Sequence, residues 1–127
     1  MFLLENQWSL LKEVRIADDN HIEALADVPA DSPWFSGHFS GEPILPGVAL
    51  VNIVKEAIGQ EAQKKGEQFQ FHALKRVKFT QPVRPGEKLS VNITGEEKGG
   101  EVLFHFKVAC NENIVSSGTI AAKKIKG

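Results

Sequence analysis

The chain has two textures. In its second half apolar and polar residues alternate at period two, which predicts strands with one face buried. Phe69, Phe71, Ala73, Val77 and Phe79 share one face, against Gln70, His72, Arg76, Lys78 and Thr80. Leu89, Val91 and Ile93 alternate with Ser90, Asn92 and Thr94, and Val102, Phe104, Phe106 and Val108 with Leu103, His105, Lys107 and Ala109. A last strand is expected over Ile114 to Ala122. The separators are turn-forming stretches, Pro82 to Gly86, Lys98-Gly99-Gly100 and Asn111-Glu112-Asn113. Links this short predict antiparallel neighbours.

In the first half, two weaker strands are expected near Ser9–Ile16 and His21–Val28, joined at Asp18-Asp19-Asn20. A loop rich in Pro and Gly follows, from Asp31 to Pro46. After Pro46 the spacing becomes helical: Val48, Val51, Val54 and Ile58 form a stripe that Leu50, Ile53 and Ala57 widen. A helix this apolar is expected to be buried. Its tail, Glu61 to Gly66, carries late lysines and a closing glycine, the usual helix exit. One helix and about six strands predict an α+β unit, a sheet wrapped around a central helix, in a single domain over 1–127. Such a sheet leaves an open edge, so a dimer is expected.

Composition narrows the function classes. The 127 residues are 42% hydrophobic and 24% charged, which fits a folded globular chain. Fifteen basic against sixteen acidic residues give a net charge of -1, which argues against a nucleic-acid partner held by bulk charge. Cys110 is the one cysteine, and no Cys/His spacing suggests zinc. No apolar run is long enough for a membrane span, and the N-terminal residues do not read as a signal peptide. A soluble, cytoplasmic protein is expected.

The chemistry concentrates in Pro33 to Val48. Pro43 and Pro46 stiffen the loop, Gly37, Gly41 and Gly47 allow tight turns or close approach, and Trp34, Phe35 and Phe39 surround His38 with apolar surface. An imidazole there can titrate near neutrality and can act as a base. The N–H groups of Gly47 and Val48, unpaired at a helix start, suit a carbonyl oxygen on which charge develops.

The segment GHFSGEPILPGV resembles the signature loop of the 3-hydroxyacyl-acyl-carrier-protein dehydratases of the FabZ/FabA type, G-H-F-P-x-x-P-x-x-P-G-V. A second stretch, Lys78-Phe79-Thr80-Gln81-Pro82-Val83-Arg84-Pro85-Gly86-Glu87-Lys88-Leu89, is similar to the family's K-F-x-x-P-V-x-P-G-D-x-L. The two stand in the family's order, and the resemblance covers roughly Leu11 to Ala122. It implies a hotdog fold and dehydration of a 3-hydroxyacyl thioester to a trans-2-enoyl thioester, with no metal or cofactor. It also implies a homodimer, or a trimer of dimers, and an acidic acyl carrier protein that presents the substrate on phosphopantetheine. Lys75, Arg76, Lys78, Arg84 and Lys88 offer such a partner a basic rim; a plain solvated face explains them equally well.

On this resemblance His38 is the base, and Phe39, Pro46, Gly47 and Val48 contact substrate. The family's acidic residue, fourteen places after the histidine, is replaced by Asn52; four places on, where the family often has Gln, stands Glu56. Residues four apart share a helix face, so carboxylate and amide appear exchanged by one turn. Three readings follow. Glu56 is the acid; or His38 makes both proton transfers while Asn52 holds the leaving hydroxyl; or elimination is lost and the fold is a thioesterase or a non-catalytic carrier binder. His21, His72 and His105 lie in strand patterns and are expected at the surface, Cys110 in the core, and Phe69, Phe71, Phe79, Phe104 and Phe106 in the core or, for some, along the acyl tunnel. The Asn92-Ile93-Thr94 triplet matches a glycosylation pattern by chance.

Overall fold

The computed structural model describes residues 8–18, 20–35 and 44–125. Strands β1 (Leu11–Asp18) and β2 (His21–Asp27) form a hairpin; a short 3-10 turn, Pro33–Phe35, follows. Helix α1 (Gly47–Lys64) comes next, then β3 (Gln68–Phe79), β4 (Lys88–Lys98), β5 (Glu101–Cys110) and β6 (Asn113–Ile125). All six strands form one antiparallel sheet in the order β1-β2-β4-β5-β6-β3. One long helix against such a sheet is the hotdog arrangement that the resemblance implies.

The period-two pattern decides which strand faces meet the helix. Leu89, Val91 and Ile93 of β4, Phe104, Phe106 and Val108 of β5, and Ile120 and Ala122 of β6 are buried in one cluster with Leu50, Ile53, Val54, Ala57 and Ile58 of α1. Each fully buried Ile or Val side chain contributes about 1.5–3 kcal/mol relative to exposure, so this contact holds the helix to the sheet. Cys110 is buried in the same cluster, as expected. The three strand histidines sit at or near the surface with polar partners: His21 with Asn92, His72 with Glu101, and His105 with Thr119 and Glu96.

Two expectations are corrected. The helix is not buried all round: Val48 is 63% exposed, and Asn52 and Glu56 are only partly covered. The sheet covers one side and leaves the other open. Phe79, assigned to the core, is 53% exposed. Beyond Phe71 the pairing with β6 slips twice, and Arg76 takes a left-handed φ of 54° at the second slip, so strict alternation fails before Phe79. Glu61, the first residue of the helix tail, is 4% exposed. The outer strands also start and stop a few residues from the expected bounds.

Candidate active site

The two motif segments meet in space. The backbone N–H of Leu45 donates to the carbonyl of Val83 at 2.8 Å, which ties the end of the first motif to the second. Two residues on, Gly47 opens α1 directly beneath Phe79: a Cβ added to Gly47 would lie 2.6 Å from the ring's Cζ. Only a glycine allows the ring to lie this close to the helix start.

Both partners are fixed from behind. The end of β3 is held to β6 by Ser116, whose Oγ donates to the Lys78 carbonyl at 2.9 Å. Thr80 is held by its N–H to Val115 O and its Oγ1 to Ile114 O, at 2.9 and 2.7 Å. The turn after Val83 is closed by Glu87, which accepts from Arg84 N at 2.7 Å and whose own carbonyl accepts from Val28 N. On the other side of the loop, Ser32 Oγ accepts from Trp34 N, and Trp34 Nε1 donates to Trp8 O at 2.7 Å while the two indoles meet edge to face.

Residues 44–47, Leu50 and residues 79–83 enclose a groove of about 520 Å³. That volume is in the range of small-molecule sites. Pro46 stands at the N-cap with extended backbone and no side chain caps the helix. The first N–H groups of α1, at Gly47 and Val48, therefore have no partner within the helix, and the helix dipole adds partial positive charge beside the groove. A thioester carbonyl placed here would be polarised.

Val48, Asn52 and Glu56 follow at four-residue steps along the open side of α1. The Glu56 carboxyl accepts a hydrogen bond from the Ser9 side chain, while its Oε1 is buried without a partner among the described residues. Burial pushes the Glu56 carboxyl above the usual carboxylate range, and the Ser9 hydrogen bond only partly opposes this. Lys55, next to it, lies 5.6 Å over the Phe71 ring. The structure thus brings Pro46 and Gly47 to the groove and places Val48, Asn52 and Glu56 further along the same helix. His38 and Phe39 lie outside the described residues. Sequence reasoning named Phe79 in the second motif and among the phenylalanines open to the acyl tunnel, but did not foresee its contact with Gly47. Among the described residues no group of three His, Cys, Asp or Glu is placed to hold a metal ion.

The ApeI-like family model, described as ApeI dehydratase, matches residues 14–119, a span that includes both halves of this site. The chain belongs to the ApeI-like dehydratase family. It is 34% identical to the 3-hydroxyacyl-(acyl-carrier-protein) dehydratase FabZ of Haemophilus influenzae (strain PittEE), over 91% of this chain and 88% of that protein. Among solved structures it resembles the dehydratase heterocomplex ApeI:P from Xenorhabdus doucetiae, at TM-score 0.69 and 24% identity over 91% and 97% of the two chains. The putative thioesterase yhdA from Lactococcus lactis has the same fold, at TM-score 0.76 over the whole of both chains but with 10% identity. In this ApeI-like chain no helix among the described residues is long and apolar enough to cross a membrane.

Proposed function

We propose that this protein dehydrates a 3-hydroxyacyl thioester carried on acyl carrier protein to the trans-2-enoyl thioester and water. The observation that carries this reading is the meeting of the two motif segments at the uncapped start of α1, through Leu45 with Val83 and Gly47 with Phe79. The Gly47 and Val48 N–H groups polarise the thioester carbonyl and make the α-proton more acidic. His38 removes that proton. The electron pair forms the α,β double bond, and the β-hydroxyl leaves with a proton from Glu56 of a second copy of the chain, because Glu56 of the same helix lies nine residues, about 13.5 Å, from Gly47. Burial keeps Glu56 protonated to higher pH than an exposed carboxyl, as a general acid needs. Asn52, one turn closer to the helix start, holds the leaving hydroxyl by its amide.

A second copy of the chain completes the site. β3 ends the sheet, and it exposes Leu74 (54%) and Phe79 at that edge. An unpaired edge with apolar side chains favours pairing with its twin. Lys75, Arg76 and Lys78 are exposed along it, Arg84 and Lys88 are exposed further away, and together they steer an acidic carrier protein.

The test is product analysis with a 3-hydroxyacyl carrier-protein substrate. Enoyl product without free thiol supports the reading. Thiol release without enoyl product makes the protein a thioesterase, and carrier binding with neither product makes it a binder.

A further inference from the structure

A second cavity lies at the opposite end of α1. Its volume is about 560 Å³, and it is bounded by the β1-β2 and β4-β5 hairpins, the start of β3 and the last turns of the helix. Ile58, Phe69 and Phe104 supply apolar wall, the two phenyl rings meeting edge to face with centroids 5.2 Å apart. Glu61 lines the same space. Fourteen residues separate it from Gly47, about 21 Å along a helix, so this cavity is distinct from the groove at the helix start.

Glu61 is the unusual feature. It is 4% exposed; its Oε2 meets Lys64 Nζ at a long 3.4 Å, and its Oε1 has no hydrogen-bond partner among the described residues. A buried acceptor left unpaired is costly, more so when charged, and a donor from a bound molecule removes that cost. The surroundings select the donor's charge. Asp18, Glu67, Glu96 and Glu97 also line the cavity, against Lys65 and Lys124. Lys124 and Glu67 offset each other in a pair at 3.0 Å and Glu96 meets His105 Nε2 at 2.9 Å, which leaves Asp18, Glu97 and Glu61 against Lys65 and the distant Lys64. The negative end of the helix dipole adds to the same field.

We infer that this cavity binds a small organic ammonium: an N–H-bearing cationic head that donates to Glu61, on an alkyl or aryl body that packs against Ile58, Phe69 and Phe104. The orphaned Oε1 requires a donor, the excess of carboxylates favours a cation, and the phenyl rings and the volume accommodate an apolar body. The inference does not depend on the reaction proposed above, because its test reads binding alone.

The full chain is titrated with n-hexylammonium, and in parallel with n-hexanol and hexanoate, by calorimetry and by NMR shifts. The expected result is an ammonium affinity about tenfold or more above that of n-hexanol, with hexanoate weakest. The largest shifts fall at Ile58, Ala62, Val102 and Phe104 and not at Val83. Glu61→Gln lowers hexylammonium affinity about tenfold and leaves n-hexanol unchanged. If that variant fails to fold, Glu97→Gln at the rim weakens hexylammonium about two- to threefold through charge alone. Equal binding of n-hexanol, shifts centred on Val83, indifference to the folded variant, or no binding at millimolar concentration would each overturn the inference.

Discussion

The ring of Phe79 lies directly over Gly47, so close that a Cβ on Gly47 would stand 2.6 Å from Cζ and 2.8 Å from Cε1. This contact joins the last residue of β3 to the first residue of α1, and so joins one motif to the other. The atoms in the way belong to the far end of a half-exposed side chain, so the ring is free to swing aside. Gly47→Ala should therefore cost little stability, about 1 kcal/mol or less in chemical denaturation, while lowering turnover by uncovering and crowding the helix start. Phe79→Ala in the same chain should remove the crowding, so the double-mutant cycle shows coupling. Additive effects would mean that the contact is incidental.

Leu45 is buried at 4% and its backbone is bonded to Val83. Leu45→Ala should destabilise the fold by about 2–5 kcal/mol, the range for large-to-small changes in a core. A folded Leu45→Ala protein should also lose activity beyond its loss of stability, because the same residue ends the loop that carries His38. Unchanged activity per folded molecule would separate the anchor from the site.

Glu56 makes stability depend on pH in a definite direction. Its carboxyl titrates at higher pH in the folded chain than in the unfolded one, chiefly through burial. Below the unfolded value of about 4.5 both states are protonated and no penalty exists. As pH rises past that value the unfolded chain ionises first, and stability is lost until the folded carboxyl has also ionised. Glu56→Gln should remove this loss. Denaturation midpoints measured from pH 4 to 8 should show the variant gaining on the wild type as pH rises; parallel curves would mean that the carboxyl is solvated. In the enzyme assay the same variant should lose roughly a hundred- to ten-thousandfold in kcat/KM, the usual share of a general acid.

Much of this architecture is legible in the residues. The alternation at Leu89, Val91 and Ile93 and at Phe104, Phe106 and Val108 places each of these side chains in the core, because one face of those strands packs on the helix. Alternation fails where a strand bulges: Arg76 and the slips in β3 pairing carry Phe79 out of the expected face. The burial of Glu61 was not legible, because charge and position near a helix end suggest solvent and nothing in local sequence shows that the sheet closes over that end. The open side of α1 was misread for a related reason, since apolar residues there look buried whether the cover is this chain or another. At the candidate site, the motif residues are recognisable singly; their convergence through Leu45 and Val83 is a tertiary fact that no spacing reveals.

Cys110 is buried, and burial together with the neighbouring Glu87 carboxylate pushes its thiol above the ordinary range. It should react with a thiol reagent far more slowly in the native chain than in denaturant, because the thiolate is the reactive form. Rapid native labelling would show that the end of β5 opens readily. Slow labelling also makes thiol release a clean reporter in product assays.

The central claim is that an imidazole delivered to the start of α1 removes a proton from a polarised thioester. The most direct measurement compares wild type with His38→Ala on a 3-hydroxyacyl carrier-protein substrate, following enoyl absorbance at matched folded concentrations. Wild type should form enoyl product and His38→Ala should be slower by roughly a hundred- to ten-thousandfold. Wild-type formation no faster than the variant would contradict the account.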